Sequence, residues 1–169
     1  MGVIFDYFSA PSDELAAAVV ATGPGAHSVP APPKRGFFGR RSAGVRPDAG
    51  VAYPTVDGKG IDPVVMIADL TALLTNRTYE DIESTADGTD LAVLDGGERV
   101  VWALNDVTAS ALVKVSSQDL SAIAGQWAES EEFGGQADTG SLVEFLDQLT
   151  GLARHAHERG HRLYCWICV

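Results

Sequence analysis

The sequence predicts an α+β fold, a small mixed or antiparallel sheet with N- and C-terminal strands, covered by about five to six helices. Three observations predict it. Apolar and aromatic runs stand near both ends, at 2–8 and 163–169. Between them, several stretches repeat their apolar residues at helical spacing. A further pair of apolar runs, 91–94 and 99–104, flanks Gly96-Gly97 and reads as a hairpin or a strand entry.

The elements follow in chain order. Residues 2–8 form the first strand. The segment 9–12, with Pro11 and Ser12, supplies cap chemistry for a helix running to about residue 22 and closed by Gly23. Residues 23–60 are rich in proline and glycine and show no sustained period, so they read as a long loop or a partly disordered insertion. Asp62-Pro63 starts a second helix, with Asp62 as cap and Pro63 in its first position. Met66, Ile67, Leu70, Leu73 and Leu74 form its inner face, Asn76 ends it, and Thr78 with Asp81 opens a short further helix. Asp106 caps a helix carrying Val107, Ala111 and Leu112. Ser116 or Ser117 caps another, carrying Leu120, Ile123, Ala124 and Trp127. The acidic run Glu129, Glu131, Glu132 and a Gly134-Gly135 break come next. A capping box from Ser141 to Glu144 opens the last helix. Leu142, Phe145, Leu146, Leu149, Leu152, Ala153 and Ala156 make one apolar stripe along it, and Gly160 closes it. Residues 163–169 read as a buried terminal strand.

Composition bounds the function classes. A chain of 169 residues is most simply one α+β domain, 1–169, with the basic Pro/Gly-rich loop at about 23–60. Its formal charge of -11 argues against nucleic acid as a partner and favours a basic protein partner. Two cysteines so close together make no disulfide framework, which suits a reducing compartment. The first eight residues contain Asp6 and no basic region, so no secretory signal is visible. No apolar run reaches the about 18 residues that a membrane span needs.

Two motifs meet in the last thirteen residues. His157-Glu158-Arg159-Gly160-His161 matches H-E-x-x-H, which in zinc proteases sets two histidines on one helical face with the glutamate beside the bound water. Gly160 opposes that geometry, because a C-terminal glycine cap would put His161 past the helix end, off the face of His157. Arg159 adds a cation between the ligands. The competing reading is a helix C-terminus at which Arg154, His155, His157 and Arg159 offset the helix dipole. Cys165-Trp166-Ile167-Cys168 matches C-x-x-C. On a strand these two thiols point to opposite faces, which favours core packing over a shared metal or a disulfide. Zinc held by Cys165 and Cys168 with His157 or His161 is the alternative, and it needs a bulged strand end.

Partner-binding candidates come from charge. Lys34, Arg35, Arg40, Arg41 and Arg46 crowd one segment around Phe37 and Phe38. This segment is either a basic-aromatic arm or a solvated loop paired with the protein's own acidic surface. Arg35, Phe37, Phe38, Arg40 and Arg41, together with Glu129, Glu131 and Glu132, are the contact candidates. No G-x-S-x-G elbow, P-loop or dinucleotide fingerprint occurs, and no residue set names a reaction.

A resemblance adds to this reading. Gly60-Ile61-Asp62-Pro63-Val64-Val65, the segment 75–82, Glu131-Glu132-Phe133 and Arg162-Leu163-Tyr164-Cys165-Trp166 resemble an uncharacterised small actinobacterial protein family, over most of the chain except 23–58. More distantly, the Met-Gly start leading to Tyr7-Phe8 and the long helix, Gly-His turn and apolar strand at the end resemble the YfbM-like family. The resemblance implies an α+β fold and a cytoplasmic bacterial protein. Neither family brings an established activity, so no functional residues carry over.

The expectation is a cytoplasmic, non-catalytic binding or accessory domain without a cofactor, engaging another protein through its acidic surface. A zinc- or thiol-dependent protein built on the C-terminal His/Cys cluster is the first alternative. A hydrolase or nucleotide-binding enzyme, with His27, His155 or a carboxylate in a deep pocket, is the second.

Overall fold

The computed structural model describes residues 2–25, 52–85 and 88–169. Its centre is a sheet of five strands: β1 (Ile4–Ala10), β2 (Thr55–Asp57), β3 (Thr89–Leu94), β4 (Arg99–Ala103) and β5 (Arg162–Cys168). Their spatial order is β2-β1-β5-β4-β3, and every neighbouring pair is antiparallel. The terminal strand β5 therefore lies in the middle. It runs beside β1 from Ile4↔Cys168 to Ala10↔Arg162 and beside β4 from Arg99↔Cys168 to Ala103↔Tyr164.

Strand alternation sends the aromatic residues to both faces. Phe5, Tyr7, Leu163 and Cys165 point to one core, with Trp102 and Ile167 packed against it. Phe8, Ala10, Val101, Ala103, Tyr164 and Trp166 point to the other. A strand buried on both faces reads as a continuous apolar run, as 163–168 does.

Six helices lie among the described residues: α1 (Asp13–Ala17), α2 (Val65–Thr75), α3 (Tyr79–Thr85), α4 (Asp106–Lys114), α5 (Leu120–Trp127) and α6 (Thr139–Arg159). The stripe on α6 buries Leu142, Phe145, Leu146, Leu149, Leu152, Ala153 and Ala156. α6 packs on β1, β2 and β5, with α4 and α5 against its flanks and α2 against both of those. α1 lies on the opposite face, against β1, β3 and β4. No helix among the described residues is long and apolar enough to cross a membrane.

Several boundaries differ from the sequence expectation, each for a local reason. The first helix stops at Ala17, and the chain continues in tighter turns in which Val20 and Thr22 donate to carbonyls three residues back. Gly23, at φ 76°, ends them. Asn105, one residue before Asp106, caps α4 by accepting from the Thr108 N–H at 2.7 Å. Asp119 is the first cap of α5, and Ser116 donates to its carboxylate at 2.6 Å. Asp138 starts α6, accepting from both the N–H and the hydroxyl of Ser141 at 2.7 Å, so Ser141 lies inside the first turn. β2 falls within 23–60, where a loop is expected; three residues after Pro54 are too few to show a period. Asp62 does anchor α2, its Oδ1 accepting from the Val64 and Val65 N–H groups at 2.8 Å.

Two buried phenols tie distant elements together. Tyr7 donates to the Ile61 carbonyl at 2.7 Å, and Tyr164 donates to Asp13 at 2.9 Å, beside the Arg162–Asp13 ion pair at 2.8 Å. Burial raises both phenol pKa values above the ordinary tyrosine range, and the Asp13 carboxylate adds to the effect at Tyr164. A raised folded-state pKa contributes stability that is complete below the unfolded value, about 10 for tyrosine, and is lost as pH rises above it. Tyr164→Phe is expected to lower stability by about 1 kcal/mol at neutral pH. In urea unfolding curves its deficit against wild type should stay constant to pH about 10 and narrow above it. Leu149→Ala, in the fully buried centre of the α6 stripe, is expected to cost about 2–5 kcal/mol in the same measurement.

Candidate functional site

The C-terminal motifs are separated by the elements that carry them. Gly160, at φ 65°, caps α6 in the left-handed conformation, so His157 sits on the last helical turn and His161 lies beyond it. Both nevertheless line one cleft of about 160 Å³, with Asp106 and Ser110 of α4. His161 is thus past the helix end, as the glycine cap predicts, and it meets His157 only across this cleft beside α4. His161 Nδ1 is buried with no hydrogen-bond partner among the described residues.

The thiols are not with them. Cys165 is fully buried in the core beneath α6, paired across the sheet with Tyr7 and Trp102. Cys168 is half-buried against the core on the α1 side. Burial raises the Cys165 thiol well above the ordinary range, and the carboxylates of Asp6 and Asp62 act in the same direction. That holds Cys165 as the thiol, whereas metal ligation and disulfide exchange both use the thiolate. Among the described residues no three His, Cys, Asp or Glu side chains are grouped to hold a metal ion.

The acidic candidates lie elsewhere. Glu131 and Glu132 stand on a single 3₁₀ turn, Glu131–Phe133, after α5. They are exposed, as is Glu129. Phe133 of that turn packs edge-on against Trp127, with ring centroids 5.3 Å apart, which fixes the acidic turn to the core. Glu129 also borders an open depression of about 380 Å³ with Asp69, Arg77, Tyr79, Gln126 and Trp127. Arg35, Phe37, Phe38, Arg40 and Arg41, like Lys34, Arg46 and His27, lie outside the described residues. His155 borders a third depression, beside Pro54, Thr55 and Gln148.

A cleft that sequence reasoning missed lies on the other side of Tyr79. About 140 Å³ in volume, it is bounded by Pro63, Val64, Ile67 and Ala68 of the α2 entry, Tyr79 and Glu83 of α3, and Gly88, Trp102, Leu104, Asn105 and Thr108. Gly88 is required there, since a Cβ at this position would come within 2.4 Å of the Trp102 indole. Only the placement of Trp102 in a half-buried strand could have hinted at this site. The Tyr79 phenol pKa is raised, by burial first and then by the negative charge of Glu83, Glu132, Asp69 and Asp62. The carboxylates around Tyr79 thus act on it with one sign.

No protein-family model matches the chain, and neither the curated proteins nor the solved structures provide a match.

The separation of the thiols has a direct readout. In native protein Cys168 is expected to react with a disulfide reagent and Cys165 only on unfolding. Cys168→Ala should cost about 1 kcal/mol and leave metal content unchanged. Joint oxidation of the two thiols, or metal lost on Cys168→Ala, would restore the shared site.

Proposed function

We propose that this chain is a non-catalytic binding or accessory domain that engages a basic protein through the acidic surface formed by α2, α3 and the α5–α6 connection. One observation supports this above the others. Asp69, Glu83, Glu129, Glu131 and Glu132 collect at this end of the molecule, and none of them forms an ion pair among the described residues. The ion pairs that the described residues do form, Lys59–Glu144, Arg99–Asp95 and Arg162 with Asp13 and Asp106, use other carboxylates. An uncompensated surface of one sign attracts the opposite charge and accelerates its encounter. Arg77 is the one cation bordering the two Tyr79 clefts among the described residues.

Calorimetric titration with a hexa-arginine peptide tests the reading. Binding is expected at low salt and should weaken steeply as the ionic strength rises. The triple reversal Glu129→Lys, Glu131→Lys, Glu132→Lys should weaken it strongly. The control Glu98→Lys, Asp147→Lys, Glu158→Lys, at exposed positions elsewhere, should weaken it far less. Absence of binding at low salt, or equal losses in the two triples, would reject the proposal.

A further inference from the structure

Three clefts invite a ligand, and the chemistry of their linings separates them. The His157–His161 cleft adds Asp106 and Ser110, but no three metal-ligating side chains among the described residues are grouped to hold an ion. The depression beside Trp127 mixes Arg77 with Asp69 and Glu129, so it favours neither sign of charge. The cleft between α2, α3 and the start of α4 is different. Among the described residues Glu83 is its single charged lining residue, with no Lys, Arg or His beside it.

We infer that this cleft takes the guanidinium of an arginine side chain from the basic partner, with Trp102 and Tyr79 as aromatic walls and Glu83 as counter-ion. The inference rests on the acidic-surface reading and gives it a specific anchor. Size restricts the occupant: ligand and cofactor pockets span about 300–1,000 Å³, and this cleft, at about 140 Å³, suits one side chain. Charge disfavours an anion, because a phosphate or carboxylate would meet Glu83 with no cation among the described lining residues to offset it.

Two polar atoms of the lining, the Asn105 Oδ1 and the Thr108 hydroxyl, are already engaged. The Asn105 side chain caps α4, and the Thr108 hydroxyl pairs with that of Thr71 at 2.8 Å. Neither Tyr79 nor Glu83 has a side-chain hydrogen-bond partner among the described residues. A planar guanidinium can stack on aromatic faces and still donate to a carboxylate, which an ammonium does less well. Gly88 against the indole fixes the position of the Trp102 wall.

Trp102 also supplies the assay. Trp127 and Trp166 are buried at 2% and 0% exposure, leaving Trp102 as the half-buried indole of the three. The probe is the capped tripeptide Gly-Arg-Gly, with its uncharged citrulline counterpart, titrated into the full chain at low salt. Saturable change in tryptophan fluorescence is expected with arginine and not with citrulline, and it should vanish in Trp102→Phe. Glu83→Gln, at an exposed helix position, should weaken binding about three- to tenfold with an unchanged melting temperature. Gly88→Ala, which displaces the indole, should weaken it as well.

An equal response to citrulline, or equal affinity in Glu83→Gln, would overturn the inference. If hexa-arginine still bound the protein with Trp102 silent, the acidic-surface reading would stand and the arginine cleft alone would fall. If no basic peptide bound, both would fall.

Discussion

The position of β5 governs the rest of the structure. It pairs with both β1 and β4, so among the described residues it joins the two halves of the sheet. It also feeds both cores, with Leu163 and Cys165 on one face and Tyr164 and Trp166 on the other. A one-residue slip in its register would exchange these sets, placing Trp166 beneath α6 and Cys165 against α1. The register is held at its start by Arg162 and Tyr164, both bound to Asp13, so α1 is fastened to the strand whose outer face it covers.

That arrangement decides where clefts can form. α6 packs across β1, β2 and β5 on one sheet face, with α4 and α5 on its flanks and α2 against both of those. Depressions therefore open where helix ends meet strand ends: at the β4–α4 junction beside Trp102, and at the α6–β5 turn beside His161. The first is lined by a carboxylate and two aromatic rings, the second by two histidines, an aspartate and a serine. These groups come from segments far apart in sequence, with Tyr79, Gly88 and Trp102 meeting around one space.

Much of the architecture was legible in the sequence because burial leaves a period. The α6 stripe from Leu142 to Ala156, the left-handed stops at Asn76 and Gly160, and the two terminal strands, expected at 2–8 and 163–169 and found at 4–10 and 162–168, follow from spacing and cap chemistry. Helix starts were less legible. Asn105, Asp119 and Asp138 compete with nearby Asp and Ser residues of nearly equal capping strength, and tertiary packing selects among them. The alternation of β5 places Cys165 and Cys168 on opposite faces and the Gly160 cap places His161 past the helix end, whereas the cleft that the two histidines share with α4 left no local pattern. The Trp102 cleft left no local pattern, because Glu83 reads as one more carboxylate on a solvated helix.

The central place of β5 also sets an order of events during synthesis. β1 is synthesised well before its main partner, so the largest strand interface of the sheet is also among its most non-local contacts. Until β5 appears, β1 and β4 each present an unpaired edge flanked by aromatic residues, and α6 has no complete sheet to cover. The nascent chain can assemble helices and the β3–β4 hairpin early, but the sheet closes only once β5 has been made. Its window of exposure to aggregation and to chaperones is therefore set by the time needed to synthesise the intervening chain.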